Sequence, residues 1–238
     1  MKKFFAAMAM ALAVAVMLML HDATAAQAAA ISLKTHTSLR HYVVSGADEL
    51  SLLREMRRKG PRVGGKPALA STRMRARYAA VMRRQGGVCK VRSFRIRTQY
   101  TIMLPRLSGT GPTPKSVRKG WDAFLGKLRR HERHHISIWS ACLQQVRRRL
   151  PRMQAGDCTT LKRRMHASYE RIMAQCGKRH DAFDRKEQHA AARLPFIRAA
   201  FRRAAKRASA ARRDVIERRS NVRHRGQGRA RALRQNWQ

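Results

Sequence analysis

The feature that most constrains the fold of this 238-residue chain is one long apolar stripe at helical spacing. Its members follow one another at steps of three or four residues: Val117, Trp121, Phe124, Leu128, His131, His135, Ile138, Cys142 and Val146. Side chains at this spacing share one face of an α-helix. Thr113 is a candidate N-cap before Pro114, and Pro151 lies just past Leu150. The sequence therefore predicts a helix over residues 114–150 that buries one face.

Within this helix, His131, Glu132 and His135 fit the pattern H-E-x-x-H. The two histidines lie four residues apart, so both side chains point the same way and their Nε2 atoms can bind one metal ion. Glu132 lies about 100° round the helix, within reach of a water on the metal without being a ligand. A metal lowers the pKa of that water, and the carboxylate accepts its proton. Both histidines fall on the apolar stripe, whereas His134 lies off it and is assigned no role.

A catalytic zinc ion takes three protein ligands and keeps one position open. Six residues after His135 stands Ala141, so the longer H-E-x-x-H-x-x-G-x-x-H arrangement is absent. A second helix, predicted from about Thr159 to Phe183, must supply the ligand by packing antiparallel against the first. Residues 174–178 would then face the histidines. This argument is accurate to about one turn, so it leaves several candidates open: Cys176, His180, Asp184, Glu187 and His189.

The N-terminal half is predicted to form a small antiparallel sheet with one helix. A strand ends at Gly46, and apolar residues at helical spacing after it predict a helix that stops at Gly60-Pro61. Two segments that alternate between apolar and basic residues flank Gln85-Gly86-Gly87, which predicts a β-hairpin. The expected fold class is therefore α+β. The sheet and its helix are followed by the long H-E-x-x-H helix, a second antiparallel helix and a basic C-terminal tail.

Residues 1–28 have the pattern of a secretory signal peptide, with a basic start, an apolar core and small residues at Ala25 and Ala28. We therefore expect an exported protein, periplasmic or extracellular, with a zinc-protease-like domain over 31–192 and a basic helical or disordered tail over 193–238. The four cysteines predict two disulfides in an oxidising compartment, and three pairings are possible.

The net charge is +41, from 54 Lys and Arg against 13 Asp and Glu. Such a charge attracts polyanions in a salt-dependent way. For an exported protein these include anionic envelope polymers, lipid headgroups and DNA. No recognition-helix, zinc-finger or RNP-like signature accompanies the charge, so sequence-specific nucleic-acid binding is not expected. A basic solvated surface with no partner accounts for the charge equally well.

The order of several segments resembles a known bacterial family. The segments are YVVSG with ELSLLREMRRKGP, a Gly-Gly-x-Cys hairpin, WDAFLGKLRRHERHH, DCTTL and FDRKEQH, and they cover about residues 36–192. This series is similar to the domain-of-unknown-function family described as predicted secreted zinc-dependent proteases. The family's Trp-x-x-Phe-x-x-x-Leu segment is matched by Trp121, Phe124 and Leu128. Its second signature, Tyr-Asp-x-x-Thr-x-His-Gly, stands here as FDRKEQHA over residues 183–190.

The second signature keeps the family's Asp and His and replaces its Tyr, Thr and Gly by Phe, Glu and Ala. The resemblance implies that His189 is the third zinc ligand, with Asp184 as the alternative or as a partner that orients a ligating histidine.

The resemblance also implies a disulfide between Cys89 and Cys158, which match the family's recurring pair, and leaves Cys142 for Cys176. Simple mirror geometry places the latter two roughly 13 Å out of level, so their pairing requires a shifted helix.

Two functions follow from these observations. The first is an exported zinc-dependent metallohydrolase, a peptidase acting on a peptide or protein, with Glu132 activating water and one Zn²⁺ held by His131, His135 and His189. Tyr169 and His180 are positional candidates for polarising the carbonyl oxygen. The second is a non-catalytic cationic envelope-binding protein with a structural metal or polar cluster. Glu132 separates the two, because a structural site has no use for a carboxylate that is not a ligand.

Overall fold

The structure, a computed structural model, describes residues 29–109 and 113–235, with side chains described as far as residue 219. The predicted signal peptide lies outside the described residues. Within the described ranges, no helix combines the length and the apolar character that a membrane span requires.

Three long strands form the sheet. They are β1 (Ala30–Val44), β4 (Ser71–Gln85) and β5 (Val88–Leu107). Strand β5 lies in the middle, antiparallel to β4 and parallel to β1. The predicted hairpin is confirmed, and Gly86 and Gly87 in its turn have φ of 58° and 76°, a conformation that glycine adopts without steric cost. The fold class α+β is likewise confirmed, although the sheet is mixed because β1 pairs in parallel.

Strands β4 and β5 alternate between a buried and an exposed face, as their period-2 pattern predicts. Phe94, Ile96 and Tyr100 of β5 are buried, while Arg95 and Arg97 between them are exposed. The apolar face is covered by helices, and the basic face is open to solvent.

Helix α1 (Glu49–Lys59) begins with a capping box at Asp48, whose side chain accepts a hydrogen bond from the Ser51 backbone N–H. After it, β2 (Arg62–Val63) and β3 (Lys66–Pro67) form a small hairpin. Helix α2 (Lys115–Arg149) occupies the predicted range, but its N-cap is Pro114. The predicted cap, Thr113, instead donates its hydroxyl to the backbone carbonyl oxygen of Gly46 at 2.8 Å. Helix α3 (Cys158–Ala191) continues past Phe183, where it was predicted to end, so both family signatures lie on the α2–α3 pair.

Helix α4 (Pro195–Gln235) begins as part of the packed body. Phe196 and Ala200 are buried in a cluster with Trp121 and Phe124. Arg203 adds an ion pair with Glu49 of α1 at 2.6 Å. The packed body therefore extends beyond the predicted domain boundary at residue 192, because the first turns of this helix carry the apolar side chains that cover α1 and α2.

Both predicted disulfides are present, Cys89–Cys158 and Cys142–Cys176. Cys142 of α2 and Cys176 of α3 lie side by side because the connection between the two helices is longer than a simple turn. After α2 the chain continues through a 3-10 turn (Leu150–Arg152) and β6 (Gln154–Ala155), which pairs with β5 at Cys89 and Lys90. The chain reverses only at the start of α3, so α3 is displaced along α2 relative to the mirror arrangement.

Candidate metal centre

The displacement of α3 brings three potential ligand atoms together. Nε2 of His131 lies 3.1 Å from Nε2 of His135. Oδ1 of Asp184 lies 3.3 Å from the first nitrogen and 3.1 Å from the second. Ligand atoms around a tetrahedral zinc lie roughly 3.3–3.5 Å apart, given bonds of about 2.0–2.1 Å. Among the residues that the structure describes, these three form the one group of His, Cys, Asp or Glu side chains suited to hold a metal ion.

The residue that the family resemblance implied as third ligand, His189, is not in this group. It follows Asp184 by five residues, so the two side chains point about 140° apart around α3, and His189 is exposed. His180 and Glu187 stand four residues before and three after Asp184, on its face of the helix. The structure therefore brings the alternative, Asp184, to the two histidines. Cys176, another open candidate, is in a disulfide.

His180 lines the cleft at this site and contacts His135 directly. Its Nδ1 lies 2.7 Å from Nδ1 of His135, and its ring packs on Trp139 at 4.1 Å between centroids. If Nε2 of His135 binds a metal, its Nδ1 carries the proton and donates it to His180, which fixes the tautomer. Nε2 of His180 is then a buried N–H without a partner in the described part of the chain. This placement makes His180 a positioning residue.

Tyr169, the other candidate for polarising a carbonyl, lies elsewhere. It precedes Asp184 by about 22 Å along α3 and packs on Tyr78 of the sheet at 5.1 Å. Phe183, where the family has Tyr, contacts the site instead. Its ring stacks on His131 at 4.8 Å and meets His135 edge-on at 5.2 Å. An apolar ring thus holds both imidazoles in place.

Glu132 is 3% exposed and is held by Thr72 at the start of β4. The Thr72 hydroxyl donates to Oε2 of Glu132 at 2.7 Å and lies 3.0 Å from its backbone carbonyl oxygen. Burial raises the pKa of Glu132 to about 7, the Thr72 hydrogen bond lowers it and the nearby Asp184 raises it further. A carboxylate with a pKa near neutrality is well placed to accept and return a proton. Thr72 was not predicted as a site residue. It is 60 residues from Glu132 in the sequence, and no pattern in its strand indicates the contact.

The histidines are held in their neutral form. Burial lowers the pKa of His131 and His180, and it lowers that of His135 to about 4, in each case against the opposing effect of Asp184. A metal binds the neutral imidazole, so no proton has to be displaced from these rings near neutral pH. The donor set of two imidazoles and one carboxylate is also one that zinc accepts.

The three ligand atoms and Glu132 line a cleft of about 860 Å³. One wall is apolar and is formed by Leu69, Phe124, Leu128, Leu194 and Ile197, and Val63 and Lys66 of the β2–β3 hairpin stand at its rim. Although the chain has only 13 Asp and Glu, four of them line this cleft: Glu132, Asp181, Asp184 and Glu187. Lys66, Lys127 and Arg185 line it as well, so acidic and basic side chains nearly balance in this cleft, unlike in the rest of this strongly basic protein.

Burial of Glu132 predicts a pH dependence of stability that can be isolated by substitution. Its folded-state pKa is raised from 4.5 to about 7, so the folded protein binds more protons than the unfolded chain between these values. The glutamate therefore reduces stability increasingly as pH rises through that window. In chelator-treated protein, we expect the unfolding free energy of Glu132→Gln minus that of wild type to increase by up to about 3 kcal/mol from pH 4.5 to pH 7. Urea unfolding at a series of pH values measures this difference, and a constant difference would contradict a raised pKa.

Comparison with known proteins identifies a family. Residues 39–190 match a family described as bacterial protein of unknown function, DUF922. The match runs from β1 to the end of α3 and includes the whole candidate metal centre. No curated protein and no solved structure matches the chain. The resemblance noted in the sequence is thus confirmed at the level of the family, whose description names no activity. The chain belongs to the bacterial family DUF922.

Proposed function

We propose that this protein is an exported zinc-dependent peptidase. The observation that carries the proposal is the convergence of two Nε2 atoms and one carboxylate oxygen within 3.3 Å of one another, beside a buried glutamate in the same cleft. His131 and His135 would bind the ion from one face of α2, and Asp184 would bind it from α3. A fourth position toward the cleft would remain for water or substrate, as catalytic zinc sites require.

A zinc ion held there would acidify a water molecule and polarise the carbonyl group to be attacked. The protein's own groups supply the remaining functions. Glu132 would accept the proton from the attacking water and pass it to the leaving amine, while the Thr72 hydroxyl holds its carboxylate in one orientation. His180 and Phe183 would keep the imidazole of His135 aimed at the ion. The apolar wall of the cleft would contact a substrate side chain.

Two further observations support this assignment. The four acidic side chains of the cleft offset its three basic ones and give a cation a more favourable site than the rest of a molecule whose net charge is +41. The two disulfides fit a protein that folds in an oxidising compartment, as the signal-peptide pattern of residues 1–28 predicts.

Metal analysis of tag-free mature protein tests the ligand set. We expect about one zinc per chain in wild type, and loss of that zinc in His131→Ala, His135→Ala and Asp184→Ala, because each substitution removes one of three ligands. His189→Ala is the matched control and should retain the metal, since its side chain points away from Asp184. Elemental analysis after gel filtration gives the stoichiometry.

Loss of zinc in His189→Ala with retention in Asp184→Ala would show that His189, as the family resemblance implies, is the third ligand and that Asp184 is not. Folded wild-type protein that takes up no zinc would leave the second function, a non-catalytic envelope-binding protein with a polar cluster, as the better account. Circular dichroism of each variant separates loss of the ligand from loss of the fold.

A further inference from the structure

The solvent-facing side of the sheet carries a registered array of cations. Lys34 of β1, Arg97 of β5 and Arg77 of β4 lie directly opposite one another across the three strands. Four other basic side chains point from the same face: His36, Arg73, Arg75 and Arg95. All seven are exposed. Neighbouring strands are about 4.8 Å apart and alternate residues about 6.7 Å apart, so the charges form a two-dimensional lattice.

Within the described residues, no acidic side chain neutralises the charges of this array. Strands β1, β4 and β5 contain no Asp or Glu, and none of the seven basic side chains forms an ion pair within the described residues. Like charges directly opposite each other on a sheet destabilise it. A face that retains such pairs is stabilised when anions are placed between the side chains and relieve their repulsion. A depression of about 760 Å³, lined by Lys34, Arg75, Arg77, Arg95 and Arg97, gives those anions room.

The chemistry of the array favours phosphate groups. Five of its six permanently charged groups are arginines, and a guanidinium group binds phosphate through two parallel hydrogen bonds. Nucleic acid fits the face less well. The aromatic residues of β4 and β5, such as Tyr78 and Phe94, pack on the opposite, helix-covered face, so the imidazole of His36 is the one ring among the seven basic side chains on which a base could stack. It also has no projecting helix or ribbon to enter a groove.

We propose that the basic face formed by Lys34, Arg73, Arg75, Arg77, Arg95 and Arg97 docks the protein on an anionic phospholipid membrane. Headgroup phosphates are spread over a surface, as are the cations on the three strands. A single linear polymer, in contrast, would contact only one row of these cations. Thr72 and Arg73 are adjacent on β4, and the first points to Glu132 while the second belongs to the basic face. The candidate metal cleft therefore lies on the other side of the sheet and stays open while the face is docked.

Vesicle binding by a matched pair of triple variants tests this proposal. The face variant is Arg77→Gln, Arg95→Gln and Arg97→Gln. The control variant, Arg148→Gln, Arg164→Gln and Arg171→Gln, removes the same charge from exposed positions on α2 and α3. At physiological ionic strength, each cation at an anionic surface is worth about fivefold in binding. We expect the face variant to bind mixed phosphatidylglycerol–phosphatidylcholine vesicles about 100-fold more weakly than wild type, and the control variant to lose less than about fivefold.

Co-sedimentation with these vesicles, and with pure phosphatidylcholine vesicles as a reference, provides the measurement. The face variant should melt no lower than wild type, because the substitutions relieve cross-strand repulsion. Equal losses in the two variants would overturn the proposal, since net charge or another basic segment would then account for binding. Undiminished vesicle binding in the face variant, together with weakened binding to a single-stranded oligonucleotide, would also overturn it and assign the face to nucleic acid.

Discussion

Replacing Glu132 with glutamine is expected to lower peptide hydrolysis by about 10²–10⁴-fold while leaving one zinc per chain. Glutamine has nearly the same volume and can still accept the hydrogen bond from Thr72, but it cannot accept a proton from water. Because Glu132 is beside the ligand group without belonging to it, the metal should stay bound. Initial rates on a quenched-fluorescent peptide library, with zinc content measured on the same samples, test this prediction.

Glu170→Gln is the matched control for this experiment. Glu170 is an exposed residue of α3, about 21 Å along the helix from Asp184, so the same chemical change there should leave the rate unaltered. If Glu132→Gln retains wild-type activity, Glu132 is not the base and the proposed peptidase mechanism fails. If the variant loses zinc or its fold together with activity, Glu132 is structural, as the envelope-binding alternative requires.

The part of the site that could be predicted is the part encoded within one helix. His131, Glu132 and His135 lie within five residues, and α-helical geometry alone determines which of them point together. The third ligand depends on how far α3 is displaced along α2. That displacement is set by β6, a two-residue strand paired with Cys89 and Lys90, for which the sequence gives no periodic signal. The predicted facing zone, residues 174–178, consequently ended about half a turn before His180 and nearly two turns before Asp184.

The same distinction between local and long-range features applies to the fold. Alternating patterns predicted β4 and β5, because the hairpin between them is local in sequence. The parallel pairing of β1 with β5 could not be predicted, since it joins segments separated by a helix, two short strands and β4. Thr72 belongs to this class as well. Its hydrogen bonds to Glu132 arise only after the sheet has placed the start of β4 against α2.

The sheet also separates two different electrostatic environments. Its exposed face carries uncompensated cations, whereas the cleft at its covered side collects four of the few acidic residues. Such segregation lets a strongly basic protein bind a cation and a polyanion at once, because the two sites lie on different faces. A membrane-docked enzyme arranged in this way would meet substrates from the aqueous compartment.

Removal of the Cys142–Cys176 disulfide by alanine substitution of both residues is expected to cost about 4 kcal/mol of unfolding free energy, from loss of a cross-link across 34 residues. It should also weaken zinc binding by about tenfold or more. Cys142 lies two turns from His135 on α2, and Cys176 lies one turn from His180 on α3. The cross-link therefore fixes the register between the two helices that carry the ligands. Urea unfolding and zinc titration against a competing chelator measure the two effects.

The Cys89–Cys158 disulfide provides the control, because it spans 69 residues but joins the hairpin to the far end of α3. Loop-closure entropy grows slowly with loop length. Removing Cys89–Cys158 should therefore lower the unfolding free energy by nearly the same amount as removing Cys142–Cys176, with a difference of less than about 1 kcal/mol. Its effect on zinc affinity should be much smaller, since the helix register beside the ligands stays cross-linked. Equal losses of zinc affinity in the two double variants would show that the disulfides support the site only through global stability. Unchanged affinity without Cys142–Cys176 would show that packing of Trp139, Phe183 and their neighbours is sufficient to hold the ligands in register.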